Sequence, residues 1–462
     1  MTVTRRGFLS ASAAFAAAPF LRANAASRTR EADIVVIGAG AAGIAAARRI
    51  LAANRKVIVV EATSQVGGRC ITDSTSFDVP FDRGARWLYN PDNPMIPLAR
   101  SVGFDVAPAP FGPKMRIGRR NARAGETEQF LAALTRANRA IDEVARGRLD
   151  ASCLTPLPKD LSDWAGAIEF SLGAGFAGKD LKNLSAMDKS RAQDRSAAIA
   201  CRQGLGALVA KLGEELPVAL STPAKRIEWS RRDVSVDTPA GKIMARAAVI
   251  TVSTNVLTAG AIKFDPDIPK RILDSAAKLS LGSYDHIMVQ LAGNPLGLSH
   301  DDTLIEQSNS MRTALLLANI GGSSLCSIDV GGSFGRDLSA EGEQAMAAFA
   351  REWIAKLFGS EAAAAVKKTS ATRWNASPFV MGAMSAASPG GQLSRKTLTD
   401  PIGCMYLAGE ATHETLWGTV EGAWESGERA AEAALRRIGA LPELPADRPT
   451  QSSRRLGRKA LR

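Results

Sequence analysis

The chain has 462 residues, 45% of them hydrophobic, and a formal charge of +12 from 58 Lys and Arg against 46 Asp and Glu. That length allows roughly two to three domains around a substantial core. Five scattered cysteines (Cys70, Cys153, Cys201, Cys326, Cys404) with no CxxC pair argue against a disulfide scaffold. With only His286, His300 and His413 besides, no metal site is expected.

Residues 1–25 read as an export leader. In TRRGFLS, Arg5-Arg6 precedes a stretch (8–21) that is small or apolar but too short and alanine-rich to span a bilayer. Ala23-Asn24-Ala25 then offers a small-x-small cleavage pattern. This resembles a twin-arginine signal, an address read by export machinery rather than an anchor. The expectation is a soluble, periplasmic or otherwise exported protein, folded around a cofactor before translocation. Later apolar runs such as 247–262 are interrupted by Thr, Ser and Asn, so no stable membrane anchor is expected.

The next segment, DIVVIGAGAAG (33–43), runs from a β-branched strand through a tight turn into an alanine-rich helix. Gly38 permits the turn, Gly40 lets a pyrophosphate approach the backbone, and Gly43 lets helix and strand pack closely. The helix N-terminus offers free N–H groups to the phosphates. KVIVVE (56–61) is a second strand ending in Glu61, at the interval of about 20 residues where a carboxylate meets a ribose. Gly67, Gly68 and Arg69 follow, an extension that a nicotinamide enzyme does not need. Far downstream, MYLAGE (405–410) reads as strand and turn at Gly409-Glu410, and Gly418 leads an amphipathic helix. Two glycine turns with helix N-termini, widely separated in the chain, suit a cofactor as long as FAD.

These pieces, with FDRGARW (81–87), Asn93-Pro94, the β-rich 225–257 stretch and Arg373-Trp374, resemble the flavin-dependent amine oxidase family. That family includes monoamine and polyamine oxidases and L-amino-acid oxidases. The resemblance implies an α/β fold, with a Rossmann-like FAD-binding domain (31–90, 203–285 and 395–440) interleaved with a mixed α+β substrate domain (91–202 and 286–394). It implies cofactor contacts from Ala42, Gly43, Glu61, Arg69, Arg86, Trp87, Ala224, Glu410, Thr419 and Val420, with Trp374 lining the flavin pocket. The activity implied is oxidation of a primary or secondary amine to an imine, by hydride transfer to flavin N5. Oxygen or a respiratory electron acceptor would then reoxidise the flavin.

Three positions depart from the family pattern. The two aromatic residues that frame a substrate nitrogen correspond to Met384 and Thr419. Ala383 stands where covalent relatives carry cysteine, so FAD is expected to be noncovalent. His286 occupies the slot of a lysine that acts near flavin N5, and is the candidate catalytic residue. An L-amino-acid oxidase is the first alternative, with Arg86 or Arg116 holding a carboxylate. A desaturase-type flavoenzyme is the second, disfavoured by the 405–437 segment, and a non-enzymatic flavin protein is a third.

Residues 441–462 read as a basic disordered tail, with Arg454, Arg455, Arg458, Lys459 and Arg462 unopposed by acids. No nucleic-acid-binding module accompanies that charge, so no nucleic acid is expected. The sequence sets no oligomeric state.

Overall fold

The β-branched run before Gly38 extends and the alanine-rich stretch after Gly40 coils, as their side-chain entropies favour. The elements are strand β1 (Arg30–Ile37), helix α1 (Ala41–Ala52) and strand β2 (Val57–Val60). The computed structural model describes residues 29–90, 92–109 and 112–442; the leader and the tail beyond 442 lie outside the described residues.

β1 pairs in parallel with β2 (Ile34↔Val57 through Ile37↔Val60) and with the strand Gly241–Ile250 (Ile37↔Ile250). These strands belong to an eight-stranded sheet, in which Met405–Leu407 adds in parallel beside Ala248–Ile250. Apolar clusters cover both faces, which explains why β2 is buried at every position.

On one face α1 lies along the C-terminal helix Val420–Arg437. The contact is close because it is made of small residues: a Cβ on Gly427 would sit 2.1 Å from the Ala42 carbonyl. Arg49 meets Glu432 further along. The two helices therefore run in the same direction, with their N-termini at the same end.

A second sheet of seven strands has the order 366–371, 284–291, 325–331, 315–317, 303–306, 114–117 and 120–121. It is mainly antiparallel, and the helix Glu343–Phe358 covers it through Met346, Phe349 and Trp353. A long helix, Ala124–Ala145, precedes the chain's return to this sheet. Glu126 helps to start it by accepting the Arg123 backbone N–H. The fold is mixed α/β, and all five cysteines are free and buried. No helix among the described residues is long and apolar enough to cross a membrane.

Candidate active site

The first glycine turn is closed by backbone contacts that exclude side chains. A Cβ on Gly43 would lie 1.9 Å from the Gly38 carbonyl, and Gly38 itself has φ +103°. Gly67 donates to the Ala39 carbonyl, and a Cβ on Gly68 would meet the Gly40 Cα at 3.2 Å. α1 starts at Gly40 with no side-chain cap and no acid in its first turn. Its positive end is thus left to an external anion, and the groove beside it stays narrow and bare. A dinucleotide pyrophosphate fits such a cradle.

Glu61, at the end of β2, accepts the Ala39 N–H at 2.7 Å and the backbone and hydroxyl of Thr63, both at 2.8 Å. It therefore ties the turn to the next loop, and its carboxylate keeps acceptor capacity beyond these bonds. The chain from Ser221 to Ala224 comes beside it, since Thr222 donates to the Glu61 carbonyl and Ser221 to that of Thr63. Ala224 is buried there.

Arg69 reaches across to the second glycine turn. Its Nη1 donates to the Ala383 carbonyl at 2.6 Å and to Glu410 Oε1 at 2.8 Å. Glu410 is buried and accepts from Ser385 N and Oγ and from Gly418 N as well. Burial opposes its charge, but Arg69 and Ser385 outweigh that and hold the carboxyl below its ordinary value. Gly409, at φ +127°, donates to Ser426 in the C-terminal helix.

At the start of that helix the Thr419 hydroxyl accepts the Gly422 N–H and donates to the Leu416 carbonyl. Thr419 is thus an N-cap, and the first-turn N–H groups of Val420 and Glu421 have no intrahelical acceptor. Met384 packs against Gly418: a Cβ on that glycine would lie 3.4 Å from the Met384 Cβ.

The His286 region is more elaborate than its sequence suggests. The ring is 3% exposed on the strand Tyr284–Leu291, directly opposite Asp329 of Leu325–Gly331. Nε2 lies 3.0 Å from the Gly84 carbonyl, which can only accept, so Nε2 carries a proton. Nδ1 lies 2.8 Å from Asp329 Oδ1 and 2.6 Å from Arg86 Nη2. Both ring nitrogens are therefore engaged within the protein. Arg86 also donates to Ser327 and Asp329, and Tyr284 donates to the other Asp329 oxygen. Burial works against the Asp329 charge, yet Arg86 and His286 hold its carboxyl well below the usual range. Burial and the Asp329 charge together push the Tyr284 hydroxyl well above its usual value.

Trp374 stands over Gly84, with its Cζ2 3.1 Å from where a Cβ would be, and donates to the Arg83 carbonyl. Trp87 begins a short strand, pairing with Ala200. Arg116 lies elsewhere, on an outer strand where it donates to Leu357, Asn121 and Arg119 and stacks on Phe358. It does not join the other candidates: each of its three nitrogens donates at that edge.

Sequence reasoning missed Tyr284, Ser327 and Asp329. In LCSIDVG (325–331) polar residues alternate with apolar ones, and the whole strand is buried. A polar face on a buried strand requires a polar partner, and that was the available signal. Arg195, half-buried beside Gly418, was missed as well.

A parallel strand–turn–helix unit, a second helix N-terminus at the same end and a polar cluster on the seven-stranded sheet fit a nucleotide-cofactor oxidoreductase. The chain belongs to the flavin containing amine oxidoreductase family, whose pattern matches residues 41–191 and 158–435. It is 26% identical to polyamine oxidase 5 of Oryza sativa subsp. japonica, over 88% of each chain. It is 24% identical to human lysine-specific histone demethylase 2, over 86% of this chain and only 53% of that protein, about half its length. The fold matches that of cyclohexylamine oxidase from Brevibacterium oxydans IH-35A, with a TM-score of 0.74, 21% identity and coverage of 88% and 99%. The chain is thus an oxidoreductase with a flavin cofactor.

Proposed function

We propose that the chain binds FAD noncovalently and oxidises a primary or secondary amine to the imine, with oxygen or a respiratory carrier as final electron acceptor. The observation that carries this reading is the meeting of two glycine turns and two helix N-termini on one groove, joined by Arg69 and Glu410. Gly38, Gly40, Ala42 and Gly43 would hold the pyrophosphate, Glu61 and Ala224 the adenosine, and Gly68, Arg69 and Glu410 the central part. Thr419 and Val420 would meet the far end of the flavin ring.

The flavin, when bound, supplies the two-electron acceptor for the amine C–H bond. The chain's own part is to orient and to exclude water. Trp374 walls one side, Met384 and Thr419 face the amine, and Arg86, held by Asp329, Ser327 and His286, would sit near the reacting region. Because both His286 nitrogens are engaged, its effect is exerted through Arg86 and the Gly84 backbone. Ala383, lacking a thiol, supports noncovalent attachment. Residues 31–90, 203–285 and 395–440 would form the FAD domain, and 91–202 with 286–394 the substrate domain. The Arg5-Arg6 leader supports export of the folded holoenzyme, which an Arg5-Arg6 to Lys-Lys variant retained in the cytoplasm would confirm.

The deciding experiment mixes the yellow holoprotein anaerobically with a panel of amines, then readmits oxygen or a cytochrome. Bleaching by an amine supports the reading, and a flavin that no amine bleaches refutes it. Acid precipitation should leave FAD in the supernatant; flavin in the pellet would overturn noncovalent binding.

A further inference from the structure

Met384, which would face the amine, lies on a segment laid against residues 278–282 as a short antiparallel ladder, with Leu281 opposite Ser385. The rungs are uneven. Gly282 donates to the Met384 carbonyl at 2.8 Å and Ser388 to the Lys278 carbonyl at 2.9 Å, but between them the Ala386 N–H reaches the Ser280 carbonyl only at 3.4 Å. At that slack rung the buried Lys179 ammonium bridges both sides, donating to the Ala386 carbonyl at 2.7 Å and to the Ser280 hydroxyl at 3.0 Å. The residue before it holds the same ladder through its backbone. Gly178 accepts the Ser283 N–H at 2.8 Å, and a Cβ there would lie 3.0 Å from the Met384 sulfur. A glycine at φ +68° thus leaves room for the thioether, while the next side chain pins the segment that carries it.

The other charges on this segment are paired. Glu410, which binds Arg69, holds Ser385, and Asp188, which binds Arg395 through two bonds of 2.7 Å, accepts the Ala387 N–H. Lys179 instead donates to neutral acceptors. Asp188 and Glu410 attract its charge through space, Arg395 repels it, and the adjacent Asp180 is turned to the Ser333 N–H. Burial, aided by Arg395, outweighs the attraction and pushes the ammonium pKa down to about 8.

We propose that Lys179 is a positioning residue: by clamping Ala386 to Ser280 it fixes the segment that carries Met384, and so sets which amines fit beside that thioether. This rests on the amine-oxidation reading above and adds a determinant of its selectivity.

Hydrogen exchange of the intact holoenzyme, read by mass spectrometry, tests the clamp without turnover. Loss of a charge-assisted bond in Lys179→Met should lower protection of peptides across 280–283 and 383–388 about 10- to 100-fold, with peptides from 30–60 unchanged. Uniform loss of protection, or none, overturns the clamp. Selectivity is read from second-order rates of anaerobic flavin bleaching by propylamine, hexylamine and cyclopentylamine, which differ in bulk and hardly in basicity. Lys179→Met should change the ratios among them at least about 2-fold, and should change nothing further in a Met384→Ala background. In the wild type the ratios should also shift as pH rises through about 8, where Lys179 loses its charge and the clamp weakens, and Met384→Ala should show no such shift. The same change with and without Met384, or ratios in the wild type that ignore pH, overturns the role in selectivity. If no amine bleaches the flavin, the amine-oxidation reading falls and takes the selectivity with it, whereas the exchange result judges the clamp alone.

Discussion

Replacing Glu410 by glutamine tests the joint between the two glycine turns. Each carboxylate oxygen accepts two bonds: Oε1 from Arg69 and the Ser385 backbone, Oε2 from the Ser385 hydroxyl and Gly418. An amide has one accepting atom. In its better orientation the NH2 replaces Oε2, the Ser385 hydroxyl turns to accept, and the Gly418 N–H is left facing a donor. One unsatisfied buried donor costs about 1–3 kcal/mol. Arg69 keeps a bond to the remaining amide oxygen but loses its counter-charge, and breaking a buried ion pair in this way costs ~3–5 kcal/mol in all, at the middle of that range roughly a thousandfold in the folding equilibrium. Urea denaturation followed by tryptophan fluorescence measures it. The pH dependence gives a second reading. The folded-state pKa of Glu410 lies below the ordinary value, so its contribution is complete above a pH of about 4.3 and is lost as pH falls through the folded value. The gap between wild type and Glu410→Gln should therefore narrow on acidification below that point. Equal midpoints at neutral pH, or a gap that persists at the lowest pH, would refute the assignment.

Gly43→Ala would place a methyl 1.9 Å from a backbone oxygen that cannot turn away, and purified variant should show a much lower ratio of flavin to protein absorbance. Glu61→Ala removes the carboxylate proposed to meet the ribose, a charge-assisted contact worth about 1.5–3 kcal/mol, so FAD binding should weaken about 10- to 100-fold in a titration of apoprotein. His286→Ala removes the ring that joins Asp329 to Gly84. Stopped-flow measurement should show flavin reduction or reoxidation altered in it and in His286→Lys; wild-type rates for both steps in both variants would deny His286 a role.

The parts of the fold legible in the sequence are those fixed by local rules. Gly38 and Gly43 announce a turn because the first has φ +103° and the second lies against the Gly38 carbonyl, where no side chain fits, and the β-branched run before them has few alternatives to a strand. The helix at 420–437 was legible from its glycine and its periodicity, although its cap, Thr419, reads equally well as a substrate contact. What was hidden depends on strand register. Asp329 faces His286 only because two antiparallel strands, separated by a long excursion through other elements, meet in one of two possible phases. Arg195 was hidden for a similar reason, since the rings around it, Phe176, Trp417 and Tyr89, come from three distant segments and share no periodicity with it.

The pairing of α1 with the C-terminal helix sets an order of events during synthesis. Arg49 and Glu432 are hydrogen-bonded partners separated by 383 positions. At ~5–20 residues per second, a ribosome needs about 20–80 s between making one and making the other. Throughout that interval the alanine-lined side of α1 lacks the helix that closes over Ala42. A nascent chain can assemble the first glycine turn early, yet the groove gains its second wall only when translation is nearly finished. On the proposed reading flavin capture would come late in synthesis, and truncating the last helix should abolish it even though every residue of the first glycine motif is present, which the flavin-to-protein absorbance ratio of the truncated chain would check.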